Sequence, residues 1–373
     1  MEHFAQLEQP LAPSTPVLSP AIVVAPAPLD SGGLGTAAAE AREGFAALGC
    51  ATAFVGPQPH APLTRVARSR LVRRFFGGAP GARAVARGVR GAVPRGGWEL
   101  AYAMPGTVPL GVGTGVVVVH QATRHPAVEW EALRQGERET GGRGDLSRAE
   151  LRRRERELAG ADLVHVTSLA VRDELLERGI DPERLVHSYL GVDLERYRPG
   201  RKRSRLTVAF IGPLSLRKGV DSVAELAQRV GPEAAVEVVG GPACPWSRRV
   251  AERAGFVPRS SARELLAEAQ VLVLPSRSDG FSYVVLEALA SGTVPIVTPQ
   301  VGAAEIVRRL DPRLVVERTG FAEAVAALLP RLELAALSRR ARALAEEFDR
   351  RRTSRAIAAA VLERAGGLGL GAA

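Results

Sequence analysis

Short apolar runs alternate with helical patterns along most of the chain. Each run is solidly apolar, which is typical of strands that are covered on both faces in a parallel sheet. The predicted strands are Ala21–Ala25, Ala51–Val55, Glu99–Ala103, Val116–His120, Asp162–Thr167, Leu206–Ile211, Ala235–Val239, Val271–Leu274 and Pro295–Thr298. The predicted helices are Thr36–Leu48, Glu150–Leu158, Leu169–Arg178, Val220–Val230, Ser261–Ala269, Tyr283–Ala290, Ala303–Arg309 and Phe321–Leu329.

The alternation pauses once, at residues 191–205, where Pro199 and Gly200 precede a charged run. This composition indicates a linker, and a chain of 373 residues is long enough for two domains. We therefore predict a disordered lead-in at 1–20, one α/β domain at 21–198 and a second at 199–345. Both are expected to be Rossmann-like, doubly wound parallel sheets. Their ligands should bind at the carboxyl ends of the strands, which face each other across a cleft.

The basic residues change the picture in two ways. Lys202 and Lys218 are the only lysines among 50 basic residues, so the chain otherwise uses arginine. Residues 65–95 hold nine arginines and no acid, with apolar residues between them. Such a segment is either solvated or lies on an anionic membrane surface. Nothing resembles a helix-turn-helix, a zinc finger or an aromatic stacking pattern, so we expect no nucleic acid partner.

The sequence also bears on location. It has no uninterrupted apolar run of about 18 residues, so no transmembrane helix is expected. The start, Met1-Glu2-His3, lacks the basic region of a signal peptide. Cys50 and Cys244 lie in different halves without metal-binding spacing, which is typical of reduced thiols. We predict a cytoplasmic protein, either free or attached to the inner face of the membrane through residues 65–95.

Two turns and one strand end carry candidate chemistry in the first domain and at the start of the second. The glycine loop around Gly33 follows a strand and opens a helix, where an anion is favoured, although a plain tight turn fits too. His120 ends a very apolar strand and is either a cleft residue or a structural histidine. Arg217 and Lys218 lie at a strand-to-helix turn, where two cations and a helix N-terminus can neutralise a diphosphate.

The strongest pattern is the segment Leu274–Ala288, which ends a strand and begins a helix. Asp279 and Glu287 lie eight positions apart and bracket the start of that helix. Two acids in this arrangement can hold the hydroxyls of a sugar and a ribose. The free N–H groups from Gly280 to Tyr283 can hold a phosphate between them.

These residues resemble the E-x7-E region of retaining glycosyltransferases of family four. The resemblance rests on Ser-Asp-Gly-Phe, Leu-Glu-Ala, Ser-Gly-Thr-Val-Pro and Gly-Ala-Ala-Glu within residues 274–305, and on Arg217-Lys218-Gly219. It extends loosely to the glycine loop and His120. It implies the GT-B fold, with an acceptor domain first, a donor domain second, and a helix at 346–366 that returns to the first domain.

The resemblance also implies roles. A nucleoside diphosphate sugar would donate a hexose-type sugar to an acceptor hydroxyl with retention, and no cofactor or metal would be needed. Lys218 would touch the diphosphate, Glu287 the ribose and Asp279 the sugar hydroxyls, while His120 would face the sugar near its reacting carbon. The remaining donor contacts would come from the backbone of Gly280, Phe281 and Ser282 and, at the base, from Phe256 and Val257. The acceptor would be a glycan, a lipid or a small molecule.

Two departures from the family pattern stand out. Pro213 follows Gly212 where the family usually has arginine, and Arg217 is a candidate replacement for that cation. The first acid of the motif is Asp279 rather than glutamate, so its side chain is one methylene shorter. A catalytically silent sugar-nucleotide-binding protein and a sugar-nucleotide epimerase therefore stay open as alternatives.

Overall fold

The computed structural model describes residues 21–27, 29, 32–56, 93, 98–111, 115–144 and 146–368. The predicted lead-in at 1–20 lies outside the described residues, as does the Arg-rich segment 65–95 apart from Val93. None of the helices in the described part of the chain is both long and apolar enough to cross a membrane.

The first domain is built on six parallel strands. They are β1 (Ala21–Val24), β2 (Thr52–Val55), β3 (Leu100–Ala103), β4 (Val116–Gln121), β5 (Leu163–Val166) and β6 (Leu185–His187). Their order in the sheet is β2-β1-β3-β4-β5-β6. Strands β1, β3 and β5 are buried at every position, as expected for strands covered on both faces.

The described part of the first domain contains four helices. They are α1 (Gly32–Ala47), α2 (Pro126–Thr140), α3 (Arg148–Gly160) and α4 (Leu169–Glu177). Two of them begin at serine caps: Ser147 accepts from the Glu150 N–H and Ser168 from the Val171 N–H. A short 3-10 turn, Pro182–Arg184, leads into β6.

The second domain has a five-stranded parallel sheet in the order β11-β10-β7-β8-β9. Its strands are β7 (Leu206–Ile211), β8 (Ala234–Val239), β9 (Val257–Pro258), β10 (Val271–Leu274) and β11 (Val294–Val297). Its helices are α5 (Val220–Val230), α6 (Pro245–Ala254), α7 (Ala262–Glu268), α8 (Tyr283–Ala290), α9 (Ala304–Leu310), α10 (Phe321–Leu328) and α11 (Leu334–Ala345).

The last helix, α12 (Arg350–Gly367), follows a 3-10 turn at Glu346–Phe348 and crosses back to the first domain. It packs on α1 so closely that a Cβ added to Gly44 would lie 1.9 Å from the Ser354 carbonyl oxygen. Asp349 caps its start by accepting from the Arg351 N–H at 2.8 Å. The expected α/β architecture of two parallel-sheet domains and a returning helix is therefore present.

All nine predicted strands and all eight predicted helices are confirmed to within a few residues. The pattern missed β6 and β9, which are only three and two residues long. It also missed α2 and α6, because both present few apolar residues to the core. Leu133 is the one large aliphatic side chain that α2 buries, and α6 buries only Ser247.

Candidate active site

The candidate site lies where the second sheet reverses its strand order. β7 and β10 are neighbours in the sheet although two strands separate them in the chain. The turns that follow their carboxyl ends, residues 212–219 and 275–282, therefore meet at the same edge, the usual ligand position in such sheets. The first carries Lys218 and the second carries Asp279.

Backbone contacts hold the two turns together. The Arg277 N–H donates to the Arg217 carbonyl at 2.8 Å. Gly219 has φ +72°, and a Cβ at this position would lie 2.0 Å from the Pro275 carbonyl oxygen. A glycine is therefore required where the two turns touch, both for its conformation and for its size.

Lys218 and Asp279 form a buried ion pair, with side chains that are 11% and 8% exposed. Burial opposes the ionised form of Asp279, but Lys218, Arg217 and a hydrogen bond from Ser282 outweigh it and lower the pKa of the carboxyl group. Burial lowers the pKa of Lys218, and Asp279 counteracts that effect. The pair brings a cation and a carboxylate to the predicted phosphate and sugar positions.

Arg217 is half-buried and adds a second positive charge beside the Lys218–Asp279 pair. Its Nη1 donates to the Ser278 carbonyl at 3.0 Å, and its charge acts on both Lys218 and Asp279. Pro213, where the family pattern has a cation, is exposed on the preceding part of the turn. Arg217 therefore lies close enough to supply a second positive charge beside Lys218.

The start of α8 offers N–H groups to an anion. Among the described residues, the N–H groups of Gly280, Phe281 and Ser282 have no hydrogen-bond acceptor, and α8 has no side-chain cap. Such free N–H groups carry the partial positive charge of a helix N-terminus. The Phe281 side chain is itself buried in the core, so only its backbone can serve a ligand.

Ser282 holds an unusual backbone conformation at this point. It is the only non-glycine residue with positive φ in the described part of the chain, at φ +79°. A left-handed backbone costs an ordinary residue about 1–2 kcal/mol. The Ser282 side chain also helps to lower the pKa of the Asp279 carboxyl group, so the strained residue acts on the carboxylate of the ion pair.

Glu287 lies on the second turn of α8 and is half-buried. Burial raises its pKa, although a hydrogen bond from Tyr197 and the charge of Arg196 counteract the effect. The sequence did not indicate this contact with the end of the first domain. A ribose that binds Glu287 would share the carboxylate with Tyr197 or displace it.

Val257 lies at the edge of the second sheet, on β9, and its side chain is 45% exposed. Phe256 beside it packs partly against the core. Since β8 alone separates β9 from β7 in the sheet, Val257 is roughly 10 Å from the line of β7. An exposed apolar side chain at this edge is compatible with the predicted contact to the base.

His120 is at the carboxyl end of β4, as predicted, but only 2% exposed. Its Nδ1 lies 3.0 Å from the Tyr102 hydroxyl and 3.2 Å from Nδ1 of His165, which in turn bonds Ser188. Burial lowers the pKa of His120 to about 4, so the ring is neutral at pH 7. The structure therefore gives His120 the hydrogen bonds of a structural histidine, and its predicted contact with the sugar stays a prediction.

The first domain nevertheless reaches the candidate site through the loop after His120. A Cβ added to Gly280 would lie 2.6 Å from the Ala122 carbonyl oxygen, and the Gly280 carbonyl accepts from the Ser168 hydroxyl at 3.0 Å. Gly33 lies at the exposed start of α1, next to Gly32 with φ +64°. The two domains thus touch directly beside Asp279.

Sequence reasoning missed two buried charged residues. Arg277, 3% exposed, binds both carboxylate oxygens of Asp221 at 2.8 Å and donates to the Leu216 carbonyl at 3.0 Å. Its place between Ser276 and Asp279 in the strongest motif was the signal that could have found it. The other residue is Glu40, which shares a helix face with Ala37, Ala41 and Gly44 and is fully buried.

Known proteins resemble this chain in sequence and in fold. Residues 205–331 match the family described as glycosyl transferases group 1. A D-inositol 3-phosphate glycosyltransferase from Geodermatophilus obscurus is 33% identical over 283 residues, which cover 66% of this chain and 61% of that protein. The matches to the first three curated relatives cover about half to three-fifths of those proteins.

Solved structures show the same fold at low sequence identity. Sucrose-phosphate synthase from Thermosynechococcus elongatus has a TM-score of 0.65 and 19% identity, with 95% of this chain and 100% of that chain covered. HepE from Anabaena, solved in complex with UDP-glucose, has a TM-score of 0.62 and 16% identity, with 93% and 100% covered.

The chain has the GT-B fold of these solved structures, and its match to the glycosyl transferases group 1 family lies in the second domain. The segment that matches this family begins just before β7 and includes both turns of the site.

Proposed function

We propose that the protein is a retaining glycosyltransferase that moves a hexose-type sugar from a nucleoside diphosphate sugar to an acceptor hydroxyl without a divalent metal. The observation that carries this proposal is the cluster of Lys218, Arg217 and the free N–H groups of residues 280–282. The hydrogen bond from the Arg277 N–H to the Arg217 carbonyl holds together the two turns that carry these groups before a donor binds. Fixed donors aimed at developing negative charge are an effective form of catalysis.

In the proposed reaction, the bond between the anomeric carbon and the diphosphate oxygen breaks. A bond from the same carbon to the acceptor oxygen forms on the same face, and the hydroxyl proton leaves with the diphosphate. Lys218 and Arg217 stabilise the negative charge of the departing diphosphate. A metal ion would otherwise neutralise this charge. Asp279 and Glu287 hold sugar and ribose hydroxyls, and the neutral His120 ring faces the sugar.

The first test is a thermal-shift and hydrolysis screen with UDP- and GDP-sugars, beginning with UDP-glucose. A donor at one hundred times its dissociation constant stabilises the protein by about 2.7 kcal/mol. That corresponds to a rise in Tm of roughly 5–10 °C for a domain of this size. The rise should disappear in Lys218→Ala and Glu287→Ala.

The chain offers a matched control in its other lysine. Lys202 donates to the Leu266 and Ser291 carbonyls and to the Thr293 hydroxyl, at the opposite side of the second domain from the paired turns. Lys202→Ala should lower Tm without a donor but keep the rise on adding one. No response of the wild type to any sugar nucleotide would refute the proposal.

The mechanism and metal independence need their own readouts. The anomeric configuration of the product, read by NMR, should match that of the donor, and an inverted product would contradict retention. Turnover should survive excess EDTA. Donor binding without turnover or hydrolysis would favour a catalytically silent binding protein, a reading that Pro213 supports because the family usually has a cation there.

The acceptor is proposed only by class, as a glycan, a lipid or a small molecule. D-inositol 3-phosphate is the first candidate to assay, because the names of several curated relatives contain it. The nine arginines of residues 65–95 support a second proposal, attachment to anionic membranes. The protein should sediment with anionic liposomes at low salt and dissociate at high salt; no sedimentation at low salt would refute this.

A further inference from the structure

Glu40 is a fully buried carboxylate outside the donor site, on the inner face of α1. Its Oε1 accepts from the Gly191 N–H at 2.8 Å and from the Thr353 hydroxyl at 2.6 Å. Its Oε2 accepts from the Tyr283 hydroxyl at 2.9 Å. One side chain of the first domain thus joins the first residue of the predicted linker, the returning helix α12 and the first residue of α8.

The packing leaves little room for another arrangement at this junction. A Cβ added to Gly191 would lie 2.0 Å from the Thr353 hydroxyl oxygen and 3.0 Å from Oε1 of Glu40. The neighbouring backbone is also fixed, since the Val192 N–H donates to the Phe348 carbonyl at 2.8 Å. Glu40 therefore sits in a site built from three converging segments.

The charges and hydrogen bonds around Glu40 do not fully compensate the effect of burial on its ionised form. Burial raises the pKa of Glu40 to about 7 despite the three hydrogen bonds and the charge of Arg350, which pairs with Glu43 at 2.8 Å. Tyr102 on β3 faces the same region, and Tyr283 approaches from α8, and burial raises the pKa of both. A buried carboxylate lowers stability unless it is paired. We therefore interpret its three hydrogen bonds as a means of holding the three segments in position.

The bond to Tyr283 is the one that reaches the donor site. Tyr283 directly follows Ser282, and the free N–H groups of residues 280–282 immediately precede it. At the other end of this short segment, Gly280 is held by Ser168 of the first domain at 3.0 Å. The anion-binding backbone is therefore tied to the first domain on both sides, by Ser168 and by Glu40.

We propose that Glu40 is a positioning residue: through Tyr283 it fixes the start of α8, and with it the phosphate-binding backbone, against the first domain and α12. The part of this inference that concerns donor binding rests on the proposed function. Loss of the Glu40–Tyr283 bond should let the start of α8 move while the ion pair of Lys218 stays formed.

The test compares Tyr283→Phe with Thr353→Val. Both variants remove one hydroxyl that bonds Glu40, but only the first removes a contact to the donor helix. We expect Tyr283→Phe to weaken donor binding by about tenfold, because the start of α8 is then ordered at the expense of donor-binding energy and not by the bond to Glu40. Thr353→Val should lower Tm and leave donor affinity unchanged. Equal effects of the two variants on donor affinity would overturn the proposal.

A readout without donor separates this inference from the proposed function. Hydrogen exchange of the Val285 amide, which donates to the Ser282 carbonyl, and of the following Leu286 amide should be faster in Tyr283→Phe and in Glu40→Gln than in wild type, and unchanged in Thr353→Val. If the wild type binds no sugar nucleotide, the proposed function fails, but this measurement still tests whether Glu40 positions the start of α8 through Tyr283. Unchanged exchange in both Tyr283→Phe and Glu40→Gln would refute it.

Discussion

Replacing Lys218 by methionine removes one charge of a buried pair and keeps most of the volume of the side chain. Asp279 would keep Arg217 nearby and the Ser282 hydroxyl, but would lose its closest cation. Because the Asp279 side chain is only 8% exposed, water cannot replace the missing charge. The folded state therefore becomes less stable, independently of any role in sugar transfer.

The size of the loss follows from the burial of the pair. Breaking a buried ion pair by removing one partner costs about 3–5 kcal/mol, because the other charge is left uncompensated. Ion pairs on the surface contribute about 1 kcal/mol or less because solvent screens them. The Lys218–Asp279 pair is buried, so solvent screens it much less. Lys218→Met should therefore cost about 3 kcal/mol or more, and Asp279→Asn a similar amount.

The assay is urea unfolding of wild type, the two single variants and the double variant. With a slope of about 2–3 kcal/mol per molar urea, each single change should lower the midpoint by roughly 1–2 M. The double variant contains neither charge, so its loss should be smaller than the sum of the single losses by about 2 kcal/mol. Single losses that simply add would show that Lys218 and Asp279 are not coupled, and would refute this account of the site.

Three further predictions concern other residues of the site and its support. Gly219→Ala should cost about 3 kcal/mol in urea unfolding, whereas Gly255→Ala, which also has positive φ but open space around it, should cost about 1 kcal/mol. Ser282→Ala should be less stable than Ser282→Gly by about 1–2 kcal/mol, because both lose the hydroxyl but only alanine keeps the strain. Glu40→Gln should gain stability relative to wild type as pH rises from about 4.5 to 7, measured by unfolding at several pH values.

The sign of the Glu40 prediction follows from its raised pKa. Between about 4.5 and 7 the folded protein binds the proton more tightly than the unfolded chain, so wild-type stability falls as pH rises. The buried His120, with its pKa near 4, has the opposite effect over part of this range. Only the difference between variant and wild type isolates Glu40, and a difference that does not vary with pH would contradict the assignment. For the other two predictions, the contradicting results are equal costs within each matched pair.

The sequence was sufficient for the fold because the fold depends on local pattern. Strands such as β4 and β10 are continuous apolar runs, and turns rich in glycine and polar residues separate them from helices. The pattern failed where an element buries little: α6 packs through a half-buried Trp246 and a buried Ser247, and β9 is an edge strand of two residues. No periodicity reveals an element that contributes so little to the core.

The site was predictable to the extent that it lies in contiguous turns. Lys218 and Asp279 each follow a strand, and adjacency of the two strands brings them together. The partners of these motifs were not predictable, because they come from distant segments. Tyr197 reaches Glu287 and Tyr283 reaches Glu40 only through the packing of two domains and a returning helix. A single sequence contains no periodic signal for such contacts.

The pairing of Lys218 with Asp279 in the free protein bears on how a donor would enter. A lone buried lysine would be costly and would tend to lose its proton, and Asp279 counteracts that tendency. A diphosphate that approaches Lys218 would therefore replace the Asp279 carboxylate as its anionic partner. The unfavourable removal of Lys218 from water has already taken place on folding. In the proposed reaction, Asp279 would then exchange its cation for sugar hydroxyls. Ser282, which helps to keep the Asp279 carboxyl group ionised, would favour this exchange by stabilising the carboxylate when Lys218 turns to the donor.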